Sequence, residues 1–174
     1  MNETADVSES YFKDGSTDLL SEVPFFDGFN IDELSIIAKY INIFSVKKGE
    51  ILFREGEKGD YICFVLDGCL DVIKKSENNS NVEITSLSKG RLIGEMSIVD
   101  HIPRSATIKA RSKSKLASLS LDGFELILDD YPKIGIKVLK GLLRYLSENM
   151  RKTTKRFADS KEAVAHIFKL SAII

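Results

Sequence analysis

The fold is decided by the stretch RLIGEMSIVDHIPRSAT at residues 91–107, in which Gly94, Glu95 and Arg104 interrupt an otherwise apolar run. About two helical turns can begin at Glu95, and their first free N–H groups would follow Gly94 as an anion-binding end. An arginine fork matches phosphate oxygens, and a carboxylate accepts a hydrogen bond from a sugar hydroxyl. The stretch therefore indicates a site for a sugar phosphate or a nucleotide. The alternative is a structural ion pair between Glu95 and Arg104.

Around this stretch, the apolar residues follow a period of two from Ile41 to Leu121. Turn signals separate the runs, and one of them, Asp67-Gly68, predicts a two-residue hairpin that pairs Leu66 with Cys69. Short strands without long helices between them are typical of a sandwich or barrel. We therefore predict a mainly β fold, an antiparallel β-roll or jelly-roll barrel with flanking helices. The predicted strands are 43–46, 51–54, 61–66, 69–73, 82–87, 106–110 and 115–120.

Helical patterns flank the predicted strands on both sides. Asn30 is a predicted N-cap with Glu33 reaching back in a capping box, so a helix covers about 31–40. A second capping box at 122–125 opens another helix, and Pro132 begins the next. The sequence thus predicts helices on either side of one β core.

The last helix carries an apolar stripe at steps of three and four residues. A stripe of about six turns exceeds what a small barrel covers, so the sequence predicts a homodimer through the helix around 136–157. The alternative is that the stripe packs on the barrel. The basic run 151–156 is interpreted as a solvated face, and a final short helix is predicted to start near Asp159. The stripe consists of Leu139, Leu142, Leu143, Leu146, Met150, Thr153 and Phe157.

Composition and patterning argue against several classes of protein. A net charge of −1 gives no basic field for non-specific nucleic-acid binding. No apolar run approaches the roughly 20 residues of a membrane span, and the start lacks a secretory signal. Cys63 and Cys69 have no standard metal-ligand spacing and lie off register for a disulfide. His101 and His166 are isolated, and no Ser-His-Asp set is evident. We therefore expect a cytoplasmic protein that holds no metal and is not an enzyme.

Domain organisation follows from these patterns. Residues 1–18 are acidic and polar, and they are predicted to form a mobile tail. Residues 19–156 are predicted to form the main domain, including the long helix. Residues 157–174 are assigned to a C-terminal helical extension whose docking place stays open.

Three motifs carry a family resemblance: FREGEKGDY at 53–61, followed by Gly68, IGEMSI at 93–98, and PRSAT at 103–107. In this order and spacing they resemble the cyclic nucleotide-binding domain family. That family includes the catabolite activator protein, the regulatory subunits of cyclic-nucleotide-dependent kinases, and gated channels. The resemblance covers about residues 19–150 and implies a phosphate-binding cassette with a short helix.

The resemblance also implies roles for individual residues. The N–H groups after Gly94 would face the cyclic phosphate, Glu95 would hold the ribose 2′-hydroxyl, and Arg104 would bind the exocyclic oxygens. Ser105 would add a hydroxyl to the phosphate or base, and Ala106 a backbone N–H. Barrel positions would line the base pocket, and the last helix would close over the base. The implied ligand-binding residues are Gly94, Glu95, Met96, Ser97, Arg104, Ser105, Ala106, Val72, Ile84, Thr85, Leu92, Tyr145 and Asn149.

By this resemblance the chain is expected to be a receptor for cAMP, with cGMP as the alternative ligand. Ser105 follows the arginine as in bacterial cAMP receptors, although a hydroxyl there in kinase relatives favours cGMP. Ligand binding would reorient the C-terminal helix and a dimer or partner surface. About two dozen residues follow Met150, too few for a helix-turn-helix, so no direct DNA binding is expected and the protein partner is unknown. The alternative is an interaction module of the same fold that does not bind nucleotide.

Overall fold

The structure is a computed structural model that describes residues 15–171, with side chains as far as residue 162. A 3₁₀ helix, Pro24–Phe26, lies between the first two α-helices. The other elements of this range are α1 (Ser16–Ser21), α2 (Ile31–Ala38), β1 (Ile41–Val46), β2 (Ile51–Phe53), β3 (Tyr61–Asp67), β4 (Cys69–Lys75), β5 (Asn81–Ser88), β6 (Leu92–Ile93), α3 (Glu95–Asp100), β7 (Thr107–Ala110), β8 (Ser114–Ser120), α4 (Leu121–Asp130) and α5 (Pro132–Ser171).

The described strands form two four-stranded sheets, in the orders β1-β8-β3-β6 and β2-β7-β4-β5. Every strand pairing in them is antiparallel. A shared core of buried apolar side chains lies between the sheets, with Cys63 and Val65 from one and Leu70 and Ile108 from the other. The prediction of a mainly antiparallel β fold with flanking helices is confirmed, although the eight described strands do not close into one barrel.

Strand β3 is buried on both faces, because its two faces meet different layers. Cys63 and Val65 face the core between the sheets. Phe64 points the other way, and its ring lies 5.1 Å from that of Phe25 and 4.9 Å from that of Phe26, centroid to centroid. The apolar run of β3 therefore places the N-terminal helical segment on the outer face of the first sheet.

The predicted hairpin at Asp67-Gly68 is wrong, because β3 and β4 belong to different sheets. Gly68 has a φ of 89°, and a Cβ there would lie 2.3 Å from the Ser114 hydroxyl oxygen. The turn is therefore a corner between the sheets that requires glycine. Both cysteines are free thiols, and burial raises the pKa of the Cys63 thiol.

Helix boundaries agree with the sequence where a local capping pattern is unambiguous. The Asn30 and Glu33 capping box is confirmed, with both hydrogen bonds at 2.9 Å. The predicted box at 122–125 is wrong, because Ser120 is the N-cap and its hydroxyl accepts from the Gly123 N–H at 3.0 Å. Helix α1 begins at Ser16, inside the segment assigned to the tail, and residues 1–14 lie outside the described range.

Helix α5 runs without a break from Pro132 to Ser171, so the separate helix predicted near Asp159 is wrong. The predicted boundary between residues 156 and 157 thus falls inside α5. By its internal contacts the chain divides between Lys137 and Val138 into two compact units, and the predicted domain division stays a prediction. In the second unit, three members of the predicted stripe are well exposed: Leu143 is 64% exposed, Met150 74% and Phe157 60%.

Candidate functional site

Arg104 is buried, with 2% of its surface exposed, and its guanidinium is held by backbone and aromatic groups. Nη2 donates to the Tyr61 carbonyl at 2.8 Å and Nη1 to the Gly94 carbonyl at 3.2 Å. The guanidinium carbon lies 4.1 Å from the centroid of the Phe53 ring and 4.6 Å from that of Tyr61. Such stacking stabilises a cation away from water. Burial also raises the pKa of the Tyr61 hydroxyl to about 12, so this ring remains neutral.

The Arg104 side chain has no anionic partner in the described part of the chain. Within residues 15–162 its Nε–H is buried and lacks a hydrogen-bond acceptor. No ion pair joins Glu95 to Arg104 in that range either, contrary to the structural alternative. A buried unsatisfied donor costs about 1–3 kcal/mol, and more for a charged group. The site therefore retains a positive charge and a donor that an anion can satisfy.

Helix α3 begins next to this guanidinium, as the sequence predicts. Gly94 is its N-cap with a φ of 78°, and a Cβ there would lie 2.3 Å from Nη1 of Arg104. Glycine is thus required both by the left-handed backbone and by the closeness of the arginine. The helix covers only Glu95–Asp100 and ends at His101, whose φ is 56°. Gly94 and the first turn of α3 are thereby brought to Arg104.

The loop between β2 and β3 fixes the backbone of Arg104. Its N–H donates to the Glu57 carbonyl at 2.8 Å, and its carbonyl accepts from the Gly56 N–H at 2.9 Å. The Glu57 carboxylate in turn accepts from the Arg54 N–H at 2.9 Å. The motif at 53–61 thus supports the arginine in two ways, through the backbone hydrogen bonds of its loop and through the rings of Phe53 and Tyr61 at its ends.

Gly59 is a site residue that the sequence analysis missed. A Cβ there would lie 2.3 Å from Cβ and 2.5 Å from Oγ of Ser97, and 3.1 Å from Nε of Arg104. Ser97 itself is buried on the first turns of α3. Glycine therefore allows the loop to pack directly against α3. It lies in the 53–61 motif, but the motif gives no signal of the contact with Ser97.

Glu95 and the residues after Arg104 complete this side of the site. Burial raises the pKa of the Glu95 carboxyl above its ordinary value, and its own backbone N–H, Arg104 and Arg91 offset this only in part. The exposed Ser105 hydroxyl lies 3.9 Å from the Met96 sulfur, so the arginine loop touches the start of α3. Glu95 is therefore a carboxylate in a poorly solvated position, able to accept a hydrogen bond.

Replacing Glu95 by Gln is expected to raise the stability of the ligand-free protein at neutral pH. A carboxyl whose pKa rises on folding binds more protons in the folded state. Its stabilising contribution is therefore complete below the unfolded pKa of about 4.5 and is lost as pH rises through the folded value. The advantage of the variant should be present at pH 7 and vanish near pH 4. Urea unfolding at both pH values measures it, and equal stability at pH 7 would contradict the assignment.

The predicted base-pocket residues are distributed over β4, β5 and β6. Val72 and Thr85 are cross-strand partners, and Val72 packs against the core between the sheets. Leu92 is buried, whereas Ile84 is exposed at a shift of register between β4 and β5. Tyr145 and Asn149 lie on α5 in the second unit. For all of these residues, the predicted contact with a ligand stays a prediction.

The part of the chain that the structure describes holds neither a metal cluster nor a membrane-crossing helix. Within that part of the chain, no group of three or more His, Cys, Asp or Glu side chains is arranged to hold a metal ion. None of its helices combines the length and apolar character that crossing a membrane requires.

The sequence is similar to regulatory proteins. Residues 43–131 match the family described as the cyclic nucleotide-binding domain. The chain is 32% identical over 143 residues to the cAMP-dependent protein kinase regulatory subunit of Blastocladiella emersonii, a match that covers 79% of this chain and 35% of that protein. It is 23% identical over 142 residues to the CRP-like cAMP-activated global transcriptional regulator of Mycobacterium tuberculosis, covering 82% and 62% respectively. The chain thus spans only part of the length of these curated relatives.

The fold is also found among solved structures. A cyclic nucleotide-binding domain from Methylobacillus flagellatus superposes with a TM-score of 0.78 at 29% identity, covering 84% of this chain and 85% of that chain. The matched family region, 43–131, contains Arg104, Gly94 and the whole of α3.

Proposed function

The chain belongs to the cyclic nucleotide-binding domain family, as its motifs predict, and we propose that it is a receptor for cAMP, with cGMP as the alternative ligand, that does no covalent chemistry. One observation carries the proposal: Arg104 is buried beside the start of α3 with its Nε–H unsatisfied within residues 15–162. A cyclic phosphate would supply the anionic partner that this guanidinium lacks in the described part of the chain. The names of the two relatives, one cAMP-dependent and one cAMP-activated, support cAMP first.

The residues around Arg104 would divide the recognition of the ligand. The N–H groups that follow Gly94, those of Glu95 to Ser97, would donate to phosphate oxygens together with Arg104. The Glu95 carboxylate would accept from the ribose 2′-hydroxyl. Ser105 and Ala106 would add a hydroxyl and a backbone N–H. Val72, Ile84, Thr85 and Leu92 would surround the base.

The proposed response to ligand is a change in the orientation of α5. A ligand shifts a conformational equilibrium only through contacts that differ between the two states. Tyr145 and Asn149 are the residues we propose for such contacts with the base. A partner surface on α5 would then respond to the messenger.

Titration calorimetry of the purified chain with cAMP, cGMP and 5′-AMP tests the receptor function. We expect micromolar or tighter binding of one cyclic nucleotide, and weaker binding of 5′-AMP, in which the phosphate ring is open. If neither cyclic nucleotide binds, and millimolar concentrations leave the thermal stability unchanged, the receptor proposal is wrong. The chain would then be an interaction module of the same fold.

We also propose a homodimer through the exposed apolar stripe of α5. Leu143, Met150 and Phe157 recur every seven residues, which suits the seam of a two-stranded coiled coil. Light scattering should give twice the chain mass of 19.5 kDa. Met150→Lys should return the chain to a monomer, because it places a charge in the seam. The matched control is Ile31→Ser, which changes an exposed apolar residue of α2 and should leave the dimer intact. A parent that is monomeric with and without ligand would exclude the dimer.

A further inference from the structure

Lys74 lies on the inner face of β4, in line with residues of the core and the base pocket. Side chains alternate along a strand, so Leu70, Val72 and Lys74 share a face. Leu70 is buried in the core and Val72 packs against it. Asp71, between them, faces outward and forms an ion pair with Arg111. The register shift does not disturb this alternation, because the additional residue lies in β5.

The Lys74 ammonium reaches the loop that carries Arg104. Nζ donates to the Ser105 carbonyl at 2.8 Å and lies 3.2 Å from the Glu55 carboxylate. Glu55 is itself fixed, since its other oxygen accepts from the Lys75 N–H at 3.1 Å and its N–H donates to the Thr107 hydroxyl at 3.0 Å. The lysine is thus held on one side by β4 and Glu55 and binds the arginine loop on the other.

The carbonyl that Lys74 binds belongs to the Ser105–Ala106 peptide group. This peptide is trans, so its C=O and N–H point in opposite directions. Fixing the carbonyl toward Lys74 therefore fixes the Ala106 N–H in the opposite direction, at the other edge of the same planar peptide. A cation on the carbonyl also polarises the peptide and makes its N–H a better donor.

We propose that Lys74 is a positioning residue for phosphate recognition, which orients and polarises the Ser105–Ala106 peptide so that the Ala106 N–H donates to the ligand phosphate. The inference rests on the receptor function proposed above. Lys74 acts through the peptide and does not itself contact the nucleotide. Its side chain is 52% exposed, so solvent screens the interaction and the effect is smaller than that of Arg104.

Binding of the cyclic nucleotide and of its nucleoside, which lacks the phosphate, separates this role from a general structural one. Lys74→Met in the full chain should weaken binding of the cyclic nucleotide by about tenfold. This is the effect of losing one charge-assisted hydrogen bond, reduced because the lysine is partly exposed to solvent. The affinity of the variant for the nucleoside should stay within about twofold of the parent's affinity for it. Lys74→Arg keeps a donor and should restore most of the affinity. Lys75→Met is the matched control, because Lys75 donates to Glu55 through its backbone N–H, which the substitution keeps.

The amide resonance of Ala106 gives a direct readout. In the parent, saturation with the cyclic nucleotide should move the Ala106 amide proton downfield, and in Lys74→Met this shift should be clearly smaller. An unchanged cyclic nucleotide affinity in Lys74→Met overturns the inference, and so does equal weakening of nucleotide and nucleoside. Where the nucleoside binds too weakly to titrate, the Ala106 shift decides. A parent that binds no cyclic nucleotide overturns the receptor function itself, whereas a binding parent with an unaffected Lys74→Met overturns the positioning role alone.

Discussion

Arg104→Ala is expected to weaken cyclic nucleotide binding by about thirty- to several-thousandfold, which corresponds to about 2–5 kcal/mol. The cost is large because the guanidinium is already desolvated, buried against the rings of Phe53 and Tyr61, before any ligand arrives. Its Nε–H would gain an acceptor on binding, so the parent offers a donor prepared for the phosphate. Removing the side chain leaves the phosphate charge without its partner.

Two further variants identify the cause of the loss. Arg104→Lys keeps the charge but not the planar fork, so we expect an intermediate affinity. Arg54→Ala removes an exposed arginine from the neighbouring loop and should bind like the parent. Calorimetric titration of all three against the parent measures the effect. If Arg104→Ala binds cAMP and cGMP as tightly as the parent does, the assignment of the phosphate site is wrong.

Loss of packing has to be separated from loss of binding. Arg104 stacks on two rings and donates to the carbonyls of Gly94 and Tyr61, so its removal also reduces stability. Urea unfolding without ligand gives that stability term independently. A variant that is folded at the temperature of the titration and still fails to bind isolates the role of the guanidinium.

The parts of the fold that the sequence predicts correctly depend on local interactions. The capping box of Asn30 and Glu33 joins residues three apart, and its two hydrogen bonds form as expected. The predicted alternating runs are strands whose observed ends lie within two residues of the predicted ones. The start of α3 after Gly94 is likewise encoded nearby, since few residues other than glycine adopt its φ of 78°.

The errors arise where one local pattern fits two structures. An Asp-Gly turn suits a hairpin and also the corner at Gly68, and only the pairing of β3 with β8 decides between them. The three-residue capping spacing occurs at 122–125 and at Ser120–Gly123, and the second is used. Strand β6 is not among the predicted strands, because its two residues are too few to show a period.

The candidate site shows the same division. Arg104 and Gly94 could be identified because their residue types match the chemistry of an anion site. Gly59 could not, because its reason lies in a contact with Ser97, 38 positions away in the chain. The hydrogen bond from Lys74 to the Ser105 carbonyl spans 31 positions and left no periodic signal either. Such contacts exist only after the two sheets have been assembled.

Gly59→Ala is expected to destabilise the protein by about 1–3 kcal/mol, the usual cost of overpacking a close contact. Its φ is not in the left-handed region, so the backbone tolerates alanine and the penalty comes from space alone. The added methyl would lie 2.3 Å from Cβ of Ser97, which is not a flexible chain end. Either the loop or α3 must move, and each movement displaces the donors that we propose for the phosphate. Cyclic nucleotide affinity should therefore fall together with stability.

Gly28→Ala is the matched control, because a Cβ there meets no atom within 4 Å. It should change the free energy of unfolding by no more than about 0.5 kcal/mol. Ser97→Gly removes both of the atoms nearest the new methyl, so in combination with Gly59→Ala it should recover part of the loss. A double-mutant cycle measured by urea unfolding should give a coupling above about 1 kcal/mol. Equal unfolding free energies for Gly59→Ala and Gly28→Ala would show that the loop does not pack against α3. The support that the loop gives to Arg104 would then have to come from the backbone hydrogen bonds of Gly56 and Glu57 alone.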